Sequence, residues 1–206
     1  SMAVGNYTGD GTASLAITGL GIAPAYVVVF GDYLPSPVPI HRHQNMIAGQ
    51  SAFLNAGASA ILTNGIMSLD ADGFTVGNHA NLNTNLNTYR FFAFTALTNQ
   101  ITFGTYSGDG TQDREIAVGF TPKLVYVTGK RAANTSEFLY GRLDTMANNN
   151  SVRLLAANWH TDGIRSFTSG GFKVGDATPG NRLNILGDTY YWMTIGGAGK
   201  GYSIVY

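Results

Sequence analysis

His41-Arg42-His43 is the densest run of titratable residues in the chain. Two histidines two apart on a strand share one face, and their imidazoles would then suit zinc or copper. No third ligand follows from the sequence: His79 and His160 are distant, and no His-Glu-x-x-His pattern occurs. The competing reading of the run is a surface loop. Gly-Asp-Gly-Thr, at residues 9–12 and again at 108–111, offers a carboxylate and close backbone approach, as a calcium loop or phosphate cradle does. One Asp is too few for calcium, and no Lys and helix follow as a phosphate loop requires, so the element is read as a turn. Asp70 and Asp72 are the nearest thing to the acid pair of a glycosidase, but Asp72-Gly73 is a turn dipeptide. No serine stands in a Gly-x-Ser-x-Gly elbow. No catalytic residue, metal site or cofactor is expected, and the chain is read as suited to binding or assembly and not as an enzyme.

Aromatic side chains are the other chemically useful group. Phe91, Phe92 and Phe94 in one segment and Tyr190, Tyr191 and Trp192 in another are too dense for strict alternation to hide every ring. The rings left outward are expected at a copy-to-copy or subunit interface, or to meet a sugar. Tyr33 and Trp159 are read as loop aromatics. With His41, Arg42, His43 and His160 they make up the candidate binding residues.

The elements that must position these residues come twice. Gly5-Asn6-Tyr7-Thr8-Gly9-Asp10-Gly11-Thr12 returns 99 residues on as Gly104-Thr105-Tyr106-Ser107-Gly108-Asp109-Gly110-Thr111. Pro24 before Tyr26-Val27-Val28-Val29 returns after 98 residues as Pro122 before Leu124-Val125-Tyr126-Val127. Asp72-Gly73-Phe74-Thr75-Val76-Gly77 is answered, still 98 on, by Gly170-Gly171-Phe172-Lys173-Val174-Gly175. Thr88-Tyr89-Arg90-Phe91-Phe92 is answered 101 on by Thr189-Tyr190-Tyr191-Trp192-Met193. The copies span about residues 4–98 and 101–206.

Within each copy, short apolar segments are separated by Gly, Asn, Asp and Thr clusters, which reads as strands and turns. Strands are expected at 14–18, 26–30, 51–54, 65–69, 73–76 and 90–96. The second copy repeats them at 115–118, 124–128, 138–143, 152–156, 163–167, 171–174 and 190–195. Asn64-Gly65 and Asp162-Gly163 have the composition of two-residue hairpin turns. Residues 34–39 hold three of the 6 prolines and are expected as an exposed loop. Residues 45–57 and 144–155 are candidate short helices, although neither sustains a 3.6-residue period. The expected fold is all-β: two tandem antiparallel β-sandwich-like repeats of about 100 residues each.

Composition narrows the partners. The 206 residues include 12 basic and 12 acidic side chains, which set up no field to hold a nucleic acid. The longest apolar run, 25–30, is too short to span a bilayer, so no membrane partner is expected. No signal-peptide pattern follows Ser1-Met2. There is no cysteine, which leaves apolar burial and backbone hydrogen bonding to hold the fold.

The ordered set of Tyr-Thr-Gly-Asp-Gly-Thr, an apolar strand, Gly119-Phe120-Thr121-Pro122-Lys123-Leu124-Val125-Tyr126-Val127, Asp-Gly-Phe-x-Val-Gly and a Tyr-aromatic strand resembles a repeat of bacteriophage and prophage virion proteins, tail-associated or otherwise structural. The first copy departs from it at Gly21-Ile22-Ala23-Pro24. The resemblance implies a tail, fibre or capsid-decoration component located in the virion. Its partners would be further copies of itself in a homo-oligomer and other virion proteins. The alternative is a module binding carbohydrate or a host-surface glycan receptor. Residues 201–206 extend past the repeat and are expected to pair with a neighbour's sheet edge.

Overall fold

The computed structural model describes residues 1–33, 35, 37–54, 61–131, 134–153, 159–161, 163–175 and 183–196, with the backbone alone for 130, 131, 134–138 and 159. The chain divides into two compact units, Ser1–Ala96 and Leu97–Tyr206.

The first unit contains β1 (Met2–Thr8), β2 (Leu15–Thr18), β3 (Tyr26–Gly31), β4 (Ile40–His43), β5 (Ala52–Phe53), β6 (Ile66–Asp70), β7 (Gly73–Val76), the one-turn helix α1 (Ala80–Asn83) and β8 (Thr88–Phe94). They form a five-stranded sheet, β1-β8-β3-β4-β5, and a three-stranded sheet, β2-β7-β6, with every pairing antiparallel. Alternation decides what lies between the sheets. Val27, Val29, Ile40, Tyr89, Phe91 and Ala93 project from the larger sheet onto Ile17, Ile66, Phe74 and Val76 of the smaller one, all buried. The result is a β-sandwich with a single apolar core.

The second unit repeats this with β9 (Ile101–Ser107), β10 (Arg114–Ala117), β11 (Pro122–Arg131), β12 (Asn134–Leu143), β13 (Ser151–Arg153), β14 (Trp159–His160), β15 (Ile164–Phe167), β16 (Gly171–Val174) and β17 (Thr189–Gly196). Its larger sheet has six strands, β14-β13-β12-β11-β17-β9, and its smaller one three, β10-β16-β15. Val125, Val127, Tyr140, Tyr190 and Trp192 pack there against Ile116, Ile164, Phe172 and Val174. The all-β, twice-repeated architecture is the one the sequence implies.

Local expectations differ from the structure in several places. Asn64-Gly65 is not a hairpin turn: neither residue has positive φ, and β6 turns back through Ala71-Asp72 onto β7, with Asp70 opposite Gly73. Glycine stands at 65 because a Cβ there would fall onto the Ser51 hydroxyl, which accepts the Ile66 N–H at 3.0 Å. Gly163 meets Ser151 in the same way, and Ser151 Oγ accepts from Ile164 N–H at 3.2 Å. The described parts of the two candidate helices are turns leading into β5 and β13, while α1 was not foreseen. The strands β1, β4 and β9 were not foreseen either. Pro35, Pro37 and Pro39 lie outside any strand, as expected. Residues 201–206 lie outside the described residues, as does Asp162 of the second expected turn.

Candidate functional site

The surface-loop reading of His41-Arg42-His43 is corrected by the structure: the run is strand β4, and all three side chains are buried. Its register sets Tyr26 against His43, Val28 against His41 and Val29 against Ile40. Ile40 and Arg42 therefore face the smaller sheet, and the two histidines share the opposite face. The His41 ring lies 5.6 Å from Tyr26, and among the described residues neither of its nitrogens has a hydrogen-bond partner. Burial lowers its pKa to about 4. His43 Nδ1 accepts from Asn45 N–H at 3.2 Å. Burial, then the charges of His41 and Arg42, lower its pKa to about 3. Both rings are neutral at physiological pH. Among the described residues no three His, Asp or Glu side chains gather as a metal site would require.

Arg42 is a structural clamp, and it has a counterpart that sequence reading missed, Arg142, 100 residues on. Each guanidinium reaches into the loop that follows its own strand. Arg42 Nη1 donates to the carbonyls of Ile47, at 3.1 Å, and Gln50. Arg142 donates to the carbonyls of Met146 at 3.1 Å, Asn148 at 2.7 Å and Asn150. A planar fork with five donors can satisfy several carbonyls at once, which is why arginine and not lysine occupies the position.

Gly-Asp-Gly-Thr is a turn held by a buried asparagine. Asp10 Oδ1 accepts from Thr12 N–H at 2.8 Å, from Thr12 Oγ1 at 2.7 Å and from Asn83 Nδ2 at 3.1 Å. Asn83 also accepts from Asp10 N–H at 2.9 Å and donates to Thr12 O at 3.0 Å. In the second unit Asp109, Thr111 and Asn184 make the same five bonds, at 2.9, 2.7, 2.7, 3.1 and 2.8 Å. Hydrogen bonds from Thr12 lower the Asp10 pKa, and those from Thr111 bring Asp109 down to about 2. A tyrosine pair seals each turn: Tyr7 stacks on Tyr89 at 5.2 Å and Tyr106 on Tyr190 at 5.0 Å. The Tyr7 hydroxyl donates to Leu82 O at 2.7 Å and the Tyr106 hydroxyl to Leu183 O at 2.5 Å. Asn83 and Asn184 stand 101 apart, the displacement of Thr88 and Thr189, and that signal would have found them.

Tyr33 and His160 each contact a tyrosine of their own unit. Tyr33 lies edge-on to Tyr89 at 5.8 Å, and its hydroxyl donates to Ala80 O at 3.1 Å. His160 on β14 sits edge-on to Tyr140 at 5.4 Å. Trp159 pairs with Val152 through its backbone, and its side chain lies outside the description. His79 caps α1, accepting from Asn81 N–H at 3.1 Å. The acidic pair is divided: Asp72 accepts from Gly19 and Gly21 N–H at 3.1 and 2.6 Å, and Asp70 from Thr75 Oγ1 at 2.8 Å.

One open cleft of about 460 Å³ adjoins this framework in the first unit. Pro24, Met67 and Leu69 line it with Gln44, Ser68 and Asp70, and Arg42 contributes to its wall. No aromatic ring is among these lining residues. In the second unit the residue matching Leu69 is Phe167, whose ring lies 5.7 Å from the Arg142 guanidinium.

No curated protein and no solved structure matches the chain. Residues 2–198, which take in the first copy and most of the second, match the model of a family described as a domain of unknown function (DUF7483), and the chain belongs to that family.

Proposed function

We propose that the chain is a bacteriophage virion structural protein, a component of a tail, fibre or capsid decoration that acts through assembly and binding and not through catalysis. The observation that carries this reading is the use made of the polar residues common to both copies. Asp10 and Asp109, Asn83 and Asn184, Arg42 and Arg142, and Ser51 and Ser151 each hold a turn, loop or strand start of their own unit. What the duplication retains is architecture. The repeat motif resembles those of virion proteins, and the neutral Asn-, Thr- and Gly-rich composition suits a protein that packs beside copies of itself. Its partners in this reading are further copies of the chain and other virion proteins.

The test is whether the chain travels with particles. Antibody raised against it should label phage particles banded in a density gradient, and peptides from both units should be found in the band. Particles free of the chain would contradict the reading.

The cleft in the first unit supports a second reading, contact with a host-surface glycan, through Gln44, Ser68 and Asp70. Titration of bacterial surface oligosaccharides should then show binding that Asp70→Ala abolishes. Equal binding by the variant would exclude the cleft.

A further inference from the structure

β1 closes one side of the five-stranded sheet, and its register with β8 runs unbroken from Met2 opposite Phe94 to Thr8 opposite Thr88. The bonds flanking this ladder fix which backbone groups it uses. Gly9 N–H donates to Asn87 O at 2.8 Å, and Thr95 N–H donates to Ser1 O at 3.0 Å. Hydrogen-bonded and non-hydrogen-bonded pairs alternate in an antiparallel ladder. Ala3, Gly5 and Tyr7 therefore bond to β8, while the N–H and C=O groups of Met2, Val4, Asn6 and Thr8 point to the open edge. Among the described residues no strand pairs with them.

Sheets ordinarily protect such an edge with a lysine, a proline, a bulge or a very short strand. β1 has seven residues, no charge, no proline and no break in register. Met2 and Val4 are each 70% exposed beside the edge. The matching strand β9 is treated differently. Leu97 and Ile101 exchange both backbone bonds across a turn, at 3.1 and 2.8 Å, which closes the first outward pair, and Phe103 is buried.

We propose that β1 is a self-association edge: a second copy of the chain adds its own β1, antiparallel, about a two-fold axis at Val4. Val4 then faces Val4, and Met2 of each copy faces Asn6 of the other. These three pairs supply about six backbone hydrogen bonds. Two further features favour a second copy over an unrelated strand. This register sets Ala3 against Gly5, so directly opposite Gly5, where the Phe91 ring lies, the second copy places only a methyl group. With 12 basic and 12 acidic residues, two copies approach without net repulsion. The contact itself is read from β1, and only its biological role rests on the assembly reading.

The experiment is light scattering of the full chain over a wide concentration range, with three variants. The wild type should show twice the chain mass at high concentration and dissociate on dilution. Val4→Pro removes one outward N–H and no β1–β8 bond, so it should be monomeric with unchanged circular dichroism. Val4→Lys keeps the N–H but sets like charges face to face, and should also be monomeric. Val4→Thr should still dimerise. A wild type that is monomeric throughout, or an oligomer that survives both Val4→Pro and Val4→Lys, overturns the proposal. A monomeric chain found in particles would overturn β1 pairing alone, whereas a Val4-dependent dimer missing from particles would support the pairing and remove the virion role.

Discussion

Asn184 joins Asp109 twice, donating from Nδ2 to the carboxylate at 2.7 Å and accepting from the Asp109 N–H at 3.1 Å, and Asn83 joins Asp10 in the same two ways. Both asparagines are almost fully buried. A buried amide engaged on both of its polar atoms is a strong local restraint, since removing it leaves a backbone donor and acceptor unmatched. The repeat's most visible sequence element is thus one half of a clamp whose other half lies about 75 residues away.

The two histidines of β4 should make stability fall on mild acidification. Their folded pKa values, about 4 and about 3, lie below the ordinary value of 6.5, so the unfolded chain binds more protons. Stability is full above pH 6.5 and is lost as pH falls towards 4 and 3, on the order of 2 kcal/mol for each ring at pH 5. Urea unfolding at pH 7.5 and pH 5 should show the loss, and His41→Phe should remove about half of it. Equal midpoints at both pH values would contradict the burial of these rings. The lowered carboxylates of Asp10 and Asp109 act in a separate window, below about pH 4.

His41→Phe should also be neutral or stabilising at pH 7.5. Both ring nitrogens lack partners among the described residues, and an unsatisfied buried polar group costs about 1–3 kcal/mol. A melting temperature lowered by the substitution would show that the imidazole is engaged.

Leu86 is 80% exposed at φ 65°, and the matching position of the second unit holds Gly187 at φ 83°. A left-handed backbone costs a leucine about 1–2 kcal/mol, while glycine loses about 0.4–1 kcal/mol through the unfolded chain. Leu86→Gly should therefore raise stability by about 0.5–1 kcal/mol, and Gly187→Leu should lower it by a similar amount, both read from thermal unfolding.

Arg142→Lys keeps the charge and loses the fork that binds three carbonyls. The expected loss is about 2 kcal/mol, with faster hydrogen exchange confined to the loop of residues 144–150. Unchanged exchange in that loop would contradict the clamp.

The duplication and the central strands were legible because Tyr26-Val27-Val28-Val29 and Leu124-Val125-Tyr126-Val127 follow a proline at one displacement. β1 was hidden by Gly5 and Asn6, residues that disfavour strands, and the structure gives a reason for the glycine: the Phe91 ring of the neighbouring strand lies across it. Trp192 covers Gly104 likewise. β4 was hidden because three polar side chains in succession break apolar alternation. Arg42 turns inward only because Ile47 and Gln50 present carbonyls to it, a tertiary fact that no local pattern carries. The cleft was not legible either, since Pro24, Gln44 and Asp70 are brought together only by the fold.

The role common to the polar residues shared by both copies is to build each unit. Its most direct test is equilibrium unfolding of Asn83→Ala and Asn184→Ala, with hydrogen exchange read for each unit. Each variant should lose about 2–4 kcal/mol, with protection falling at residues 9–12 for the first and 108–111 for the second. Losses below about 0.5 kcal/mol, with protection unchanged at both turns, would contradict the account.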